Sequence, residues 1–205
     1  MKKLLCSVVL CGIAALPAIA QGGGGGAQTP PAAPPTDPVS TFVKGAFKQI
    51  STNLIGSVEQ MPEENFSMKI GTTPEVRTFA QMIGHVANAN YFFCAMAKGE
   101  ADPQTVDYEH TAQTKAQLVA GMHAALDYCQ PVYDSLTDAT ISQMVTVPGQ
   151  NGAPGRPTLR IGILLRNIGH NNEEYGNLVG YFRTKNLVPP STAAANAAAA
   201  GRRGN

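Results

Sequence analysis

Apolar residues return at helical spacing in four stretches of the chain. The first runs from about Pro38 to Gln60, where Phe42, Ala46, Ile50 and Leu54 recur every four residues. Asp37 has the side chain of a helix cap, proline suits a first turn, and Met61-Pro62-Glu63-Glu64 closes the segment. The second runs from about Phe79 to Lys98, with apolar surface from Phe79, Met82, Ile83, Val86, Phe93 and Met96. Thr78 and Gln81 before it fit a capping box, and Gly99 fits a C-terminal stop. The third runs from about Lys115 to Leu136. Thr114 and Gln117 form a second capping box, and Leu118, Met122, Ala125 and Cys129 share one side. Pro131 is expected to kink it or end its regular part. The fourth and longest runs from about Leu159 to Lys185, capped by Thr158 and stopped by Asn186 and Pro189-Pro190. Gly149 to Pro157 reads as a loop, and Met144 to Val147 is the one short strand candidate. The pattern predicts an all-α four-helix bundle.

The two ends read differently. Lys2 and Lys3 precede an apolar run, Leu4 to Leu16, and Ala18-Ile19-Ala20 has the small-x-small pattern of a signal-peptidase site. The run is too short for a bilayer span, which needs about 20 residues. Residues 1–20 are therefore expected to be a signal peptide, and the mature protein to be secreted or periplasmic. Residues 21–36 form a Gly/Pro-rich linker. The bundle domain occupies 37–190, and the Ala-rich 191–205 reads as a disordered tail, since so short an isolated helix is marginal in water.

Charge narrows the partners. Cleavage after Ala20 takes the basic residues from 15 to 13 against 14 acidic ones, and the net charge from +1 to −1. A nearly neutral chain lacks the basic footprint that nucleic acid or an anionic membrane requires. The expected partners are a small-molecule substrate and, for a homodimer, a second copy of the chain.

Four cysteines become two once the signal is removed, because Cys6 and Cys11 leave with it. Cys94 and Cys129 remain, and an even pair in an exported protein is expected to be oxidised. Nine residues separate His85 from Cys94, which puts them half a turn out of phase on one helix.

The fourth helix carries His170 and Glu174, four residues apart and so on one face. A histidine and a carboxylate one turn apart, with a third ligand from a facing helix, make a three-ligand site with an open position. The plainer alternative is a helix-surface pair worth a few tenths of a kcal/mol. His85 lies midway along the second helix, His110 in a polar stretch and His123 on the third helix. There is no phosphate-binding glycine loop, no G-x-S-x-G elbow and no C-x-x-C pair.

Taken in order, MPEENFSMK, PEVRTFAQMIGHVANANYFFC, YCQPVYDSLTD and IGHNNEEYGNLVGYFRTKNLVPP resemble the DinB/YfiT-like superfamily of four-helix-bundle metalloenzymes. The resemblance covers about Asp37 to Pro190. It implies a metal triad of one histidine on the second helix and two, four apart, on the fourth. His85 and His170 match two of these positions, and Glu174 stands where the family pattern has histidine. A carboxylate still suits zinc, nickel, manganese or iron. The resemblance also implies a divalent-metal-dependent enzyme of the hydrolase or thiol-dependent transferase type, with Asn167 or Tyr181 near the metal or substrate. The alternative is a non-catalytic binding or stress-response module with a degenerate metal site.

Overall fold

The computed structural model describes residues 36–112, 114–149 and 153–203. The expected signal peptide, residues 1–20, and all of the linker except Thr36 lie outside them. Helix α1, Pro38–Gln60, has the limits its sequence predicts, but its core face is turned. Val43, Phe47, Ile50, Leu54 and Val58 are buried, whereas Phe42 is 74% exposed. Four residues advance about 400°, so the three steps from Phe42 to Leu54 rotate by about 120°. The true face mixes three- and four-residue steps and stays in phase.

The start of α1 is capped from a distance. Asp37 makes no side-chain cap to its own helix. The Asp138 carboxylate instead accepts the Val39 and Ser40 amides at 3.1 and 2.7 Å, and Asp37 Oδ1 accepts the Asp138 amide at 2.9 Å. These exchanged bonds fasten the α1 start to the turn at 138–140.

Helix α2, Phe79–Lys98, begins on the Thr78–Gln81 capping box and ends at Gly99 with φ of +73°. A single-turn helix, α3, spans Tyr108–Thr111 in the stretch read as a polar loop. Helix α4, Lys115–Asp134, starts on the Thr114–Gln117 box and keeps Pro131 inside its last turn, stopping two residues before the expected Leu136. Strands β1, Met144–Val147, and β2, Arg156–Leu159, pair antiparallel with Val145 opposite Thr158. Thr158 is thereby taken into the hairpin, so it does not cap the following helix. Helix α5, Arg160–Thr184, starts without a side-chain cap, and its first amide is taken by the Gln143 carbonyl at 3.0 Å. Asn186 has the left-handed φ of +57° expected of the stop.

The 191–205 tail departs from its sequence reading. Pro190–Arg203 form helix α6. Pro190 cannot extend α5 but is suited to a first helical turn. It is buried, and it lies close enough to Gly56 that a Cβ there would meet it at 3.1 Å. The Tyr175 hydroxyl donates to Ser191 Oγ at 2.8 Å and accepts the Ser191 amide at 2.9 Å. Docking of this first turn removes the nucleation cost that makes a free alanine helix marginal.

Helices α1, α2, α4 and α5 enclose the core. Phe47 stacks on Tyr133 at 3.8 Å, joining α1 to α4, and Phe79 meets Tyr181 at 5.7 Å, joining α2 to α5. Cys94 and Cys129 are joined in a disulfide between α2 and α4, with Cα atoms 5.4 Å apart. No helix among the described residues is long and apolar enough to cross a membrane.

Two glycines hold α3 in place. A Cβ on Gly84 would lie 2.4 Å from the Tyr108 carbonyl oxygen, and one on Gly121 would lie 2.5 Å from the Tyr108 ring. The missing side chains let the α3 backbone rest directly on α2 and the Tyr108 ring on α4. Because the Gly84 contact is with backbone, it cannot be relieved by a rotamer change. Gly84→Ala is expected to displace α3 and to cost several kcal/mol despite alanine's higher helix propensity, as overpacking in a filled site does. Thermal denaturation checks this, and an unchanged midpoint would contradict the close approach.

Candidate metal centre

Helices α2 and α5 run antiparallel across one side of the bundle. Their core faces meet through Asn90, Asn167 and Asn171, all fully buried. Asn90 Oδ1 accepts from the side-chain amides of Asn167 and Asn171 at 3.1 and 3.0 Å, and Asn167 also donates to the Tyr133 hydroxyl at 3.2 Å. One step outward on each helix, at the edge of this polar seam, stand His85 and His170. Glu174 lies one turn beyond His170, as i and i+4 positions require.

The three side chains converge. His85 Nε2 lies 3.2 Å from His170 Nε2, and Glu174 Oε1 lies 3.7 Å from each. A point equidistant from these atoms is about 2.1 Å from each, within the roughly 2.0–2.2 Å at which zinc takes imidazole nitrogen and carboxylate oxygen. The other carboxylate oxygen, Oε2, accepts from Asn177 at 2.9 Å, which aims Oε1 at the centre. Side-chain exposures of 25, 22 and 11% for His85, His170 and Glu174 place the donors at a wall of the bundle that solvent reaches. The donor set fits one divalent ion with an open side.

A residue that the sequence did not single out supports the centre. Glu109, on α3, accepts His85 Nδ1 at 2.9 Å and Arg77 Nε at 2.7 Å. A carboxylate on Nδ1 holds the proton there and leaves the Nε2 lone pair facing the other two donors. Burial alone would raise the Glu109 carboxyl, but the hydrogen bonds from Arg77 and His85 outweigh it and hold the group below its ordinary range. Arg77 is fixed in turn, because its carbonyl accepts the Tyr181 hydroxyl. The only local hint of Glu109 is an acidic residue in a polar loop. Its position depends on the Gly84 and Gly121 approaches, which join distant parts of the chain.

His170 lacks such an anchor. Its Nδ1 is buried without a partner among the described residues, and its ring is held by Phe93 at 5.7 Å between centroids. Burial pushes its pKa below the ordinary imidazole value; the Glu174 charge works against that and His85 adds to it. His85 is therefore the better-oriented of the two candidate ligands. Glu109→Gln is expected to lower divalent-metal affinity about 10- to 100-fold, the usual cost of losing such a partner. Competition against a chromogenic chelator measures it, and unchanged affinity would remove Glu109 from the account.

The remaining candidates lie apart from the donors. His123 pairs with Glu59 at 3.0 Å and His110 with Asp107 at 2.8 Å, both on the surface. Asn167 faces the disulfide side of the seam, with Nδ2 3.8 Å from Cys94 Sγ. Tyr181 acts on Arg77, and so reaches the centre only through Glu109.

Comparisons with known proteins bear on the family and the fold. The sequence model of the DinB superfamily matches residues 25–176, a span that includes all three donors. The fold is similar to that of a DinB-like protein from Bacillus cereus known from a crystal structure. The TM-score is 0.58 at 16% identity, over 72% of this chain and 93% of that one. None of the curated proteins matches the chain.

Proposed function

Because the chain belongs to the DinB superfamily, we propose that it is an exported enzyme that depends on a divalent metal held by His85, His170 and Glu174. The reaction class is that of a hydrolase or thiol-dependent transferase. The observation that carries this reading is the convergence of three donor atoms from two helices, with separations of 3.2 to 3.7 Å. When bound, the ion supplies Lewis acidity that polarises a water or thiol on its open side.

The chain's own residues do the rest. Glu109 fixes the His85 tautomer, and Arg77 keeps Glu109 ionised. Asn177 holds the far oxygen of Glu174, so the carboxylate offers one oxygen to the centre. The Asn90, Asn167 and Asn171 seam locks the spacing of α2 and α5 beneath the imidazoles. The signal-like segment at 1–20 supports export, and a disulfide is suited to an oxidising compartment.

Glu174, where the superfamily pattern has histidine, favours a second reading, a non-catalytic module with a degenerate site. A metal titration at several pH values separates the two. Both imidazoles must be neutral to bind, so affinity is expected to fall as pH drops toward about 6. Burial holds His170 low, so its own protonation sets in further down. In the metal-free protein the same shift makes acid destabilising. The unfolded chain takes up the proton at about 6.5 before the folded one does, so stability falls as pH drops below that value. Glu174→His is expected to bind zinc at least as tightly as the parent, since imidazole suits zinc and nickel. If the parent binds no divalent ion while Glu174→His does, the degenerate module is the correct reading.

A further inference from the structure

Past the donors, where α2 and α5 meet the hairpin, lies a cavity of about 210 Å³. Its apolar wall comes from Phe93 and Met96 on α2 and from Gly162 and Ile163 on α5. Phe93 is the ring that packs on His170, so the cavity and the metal centre share a wall. Two exposed arginines bring guanidinium groups to the rim, Arg166 one turn before His170 on α5 and Arg156 on β2, beside Thr158 and Leu159. Neither guanidinium forms an ion pair or hydrogen bond among the described residues. The carboxylates closest to the donors are already engaged, Glu109 by Arg77 and His85, and Glu174 by Asn177. Glu100 and Asp102 line the neighbouring groove, which shares Met96 and Arg156, and they do not line this cavity.

An apolar hollow with two unpaired guanidinium groups is complementary to one kind of small molecule. We propose that this cavity binds a monoanionic carboxylic acid with a short apolar body, its carboxylate on Arg166 and Arg156 and its body against Phe93, Met96 and Ile163. The planar guanidinium fork matches a carboxylate in two parallel hydrogen bonds. A neutral molecule of the same shape would forgo this pairing and leave the two exposed guanidinium groups to water. A ligand seated here has the His170 side of the metal centre as its neighbour across Phe93. Its role as substrate rests on the metal-dependent reading above, but its binding does not.

Gly162 provides the direct test. The nearest atom to a Cβ there is Leu159 Cβ, 3.9 Å away, so a side chain fits onto α5 without collision and extends into the hollow. Hexanoate, 1-hexanol and acetate are titrated against the full mature chain, with amide NMR shifts as the readout, in metal-free and zinc-loaded samples. Hexanoate is expected to give saturable shifts at Phe93, Gly162 and Ile163, at least tenfold tighter than hexanol or acetate. Arg166→Gln is expected to weaken it about tenfold, and Gly162→Leu to abolish it with circular dichroism unchanged. Hexanol binding as tightly as hexanoate, or hexanoate binding unaffected by Gly162→Leu, overturns the proposal. Zinc binding without hexanoate binding also overturns it while leaving the metal centre intact. Hexanoate binding without zinc binding upholds the cavity and removes the metal-dependent reading.

Discussion

Replacing His170 by alanine is expected to lower divalent-metal affinity by two to three orders of magnitude. Structural zinc sites with four ligands reach apparent binding energies of about 10–16 kcal/mol, or roughly 2.5–4 kcal/mol per ligand. At about 1.4 kcal/mol per factor of ten, one lost ligand corresponds to a hundredfold to a thousandfold. His170 reaches the centre at 3.2 Å from His85 Nε2 and 3.7 Å from Glu174 Oε1, so removing it leaves a two-ligand site. Glu174→Ala should cost a similar amount and also removes the only formal negative charge among the donors. The fold should survive both, because each side chain lies at the edge of the core. His123→Ala is the control, since His123 pairs with Glu59 on the surface and should leave metal affinity unchanged. Competition titration of the three variants measures the effect. A His170→Ala protein that binds as tightly as the parent would remove the α5 histidine from the site.

The second large effect concerns the disulfide. Replacing both Cys94 and Cys129 by alanine is expected to destabilise the bundle by about 3–4 kcal/mol, the chain-entropy value for a loop of this length. The bridge spans a sequence separation of 35 and joins the last turns of α2 to the last turns of α4. Both sulfurs are fully buried, so the double variant also leaves small unfilled volumes and loses their packing. For a domain of about 170 residues each kcal/mol is roughly 2–4 °C, so the melting midpoint should fall by about 6–16 °C. Metal affinity should change little, because Cys94 is half a turn out of phase with His85 and the bridge faces α4. Differential scanning calorimetry on the intact and doubly substituted proteins checks this. An unchanged midpoint would mean that the bridge constrains nothing in the unfolded chain.

What could be read from the sequence was local. Both predicted capping boxes form because a cap needs only residues three apart, and Gly99 and Asn186 take the left-handed stops their side chains permit. His170 and Glu174 share a face because helical geometry puts them there. What was missed depends on contacts between distant segments. Phe42 reads as a core residue until the phase of α1 is set by Val43 and Phe47 against α4. Thr158 has a capping side chain, but its backbone is taken by Val145 in the hairpin. The alanine tail has helix propensity but no nucleus until Pro190 and Ser191 dock on Gly56 and Tyr175. Glu109 carries no motif, and it reaches His85 only because Gly84 and Gly121 admit α3. The three side chains of the candidate site were therefore legible, while the residue that orients one of them was not.

His85, His170 and Glu174 are proposed to hold one divalent ion between them. The most direct test is the metal content per chain of protein purified without affinity tag or chelator, loaded with zinc and freed of excess. About one ion per chain is expected in the parent, and essentially none in His170→Ala or Glu174→Ala under the same wash. A parent chain that retains no zinc, or variants that retain as much as the parent, would contradict it.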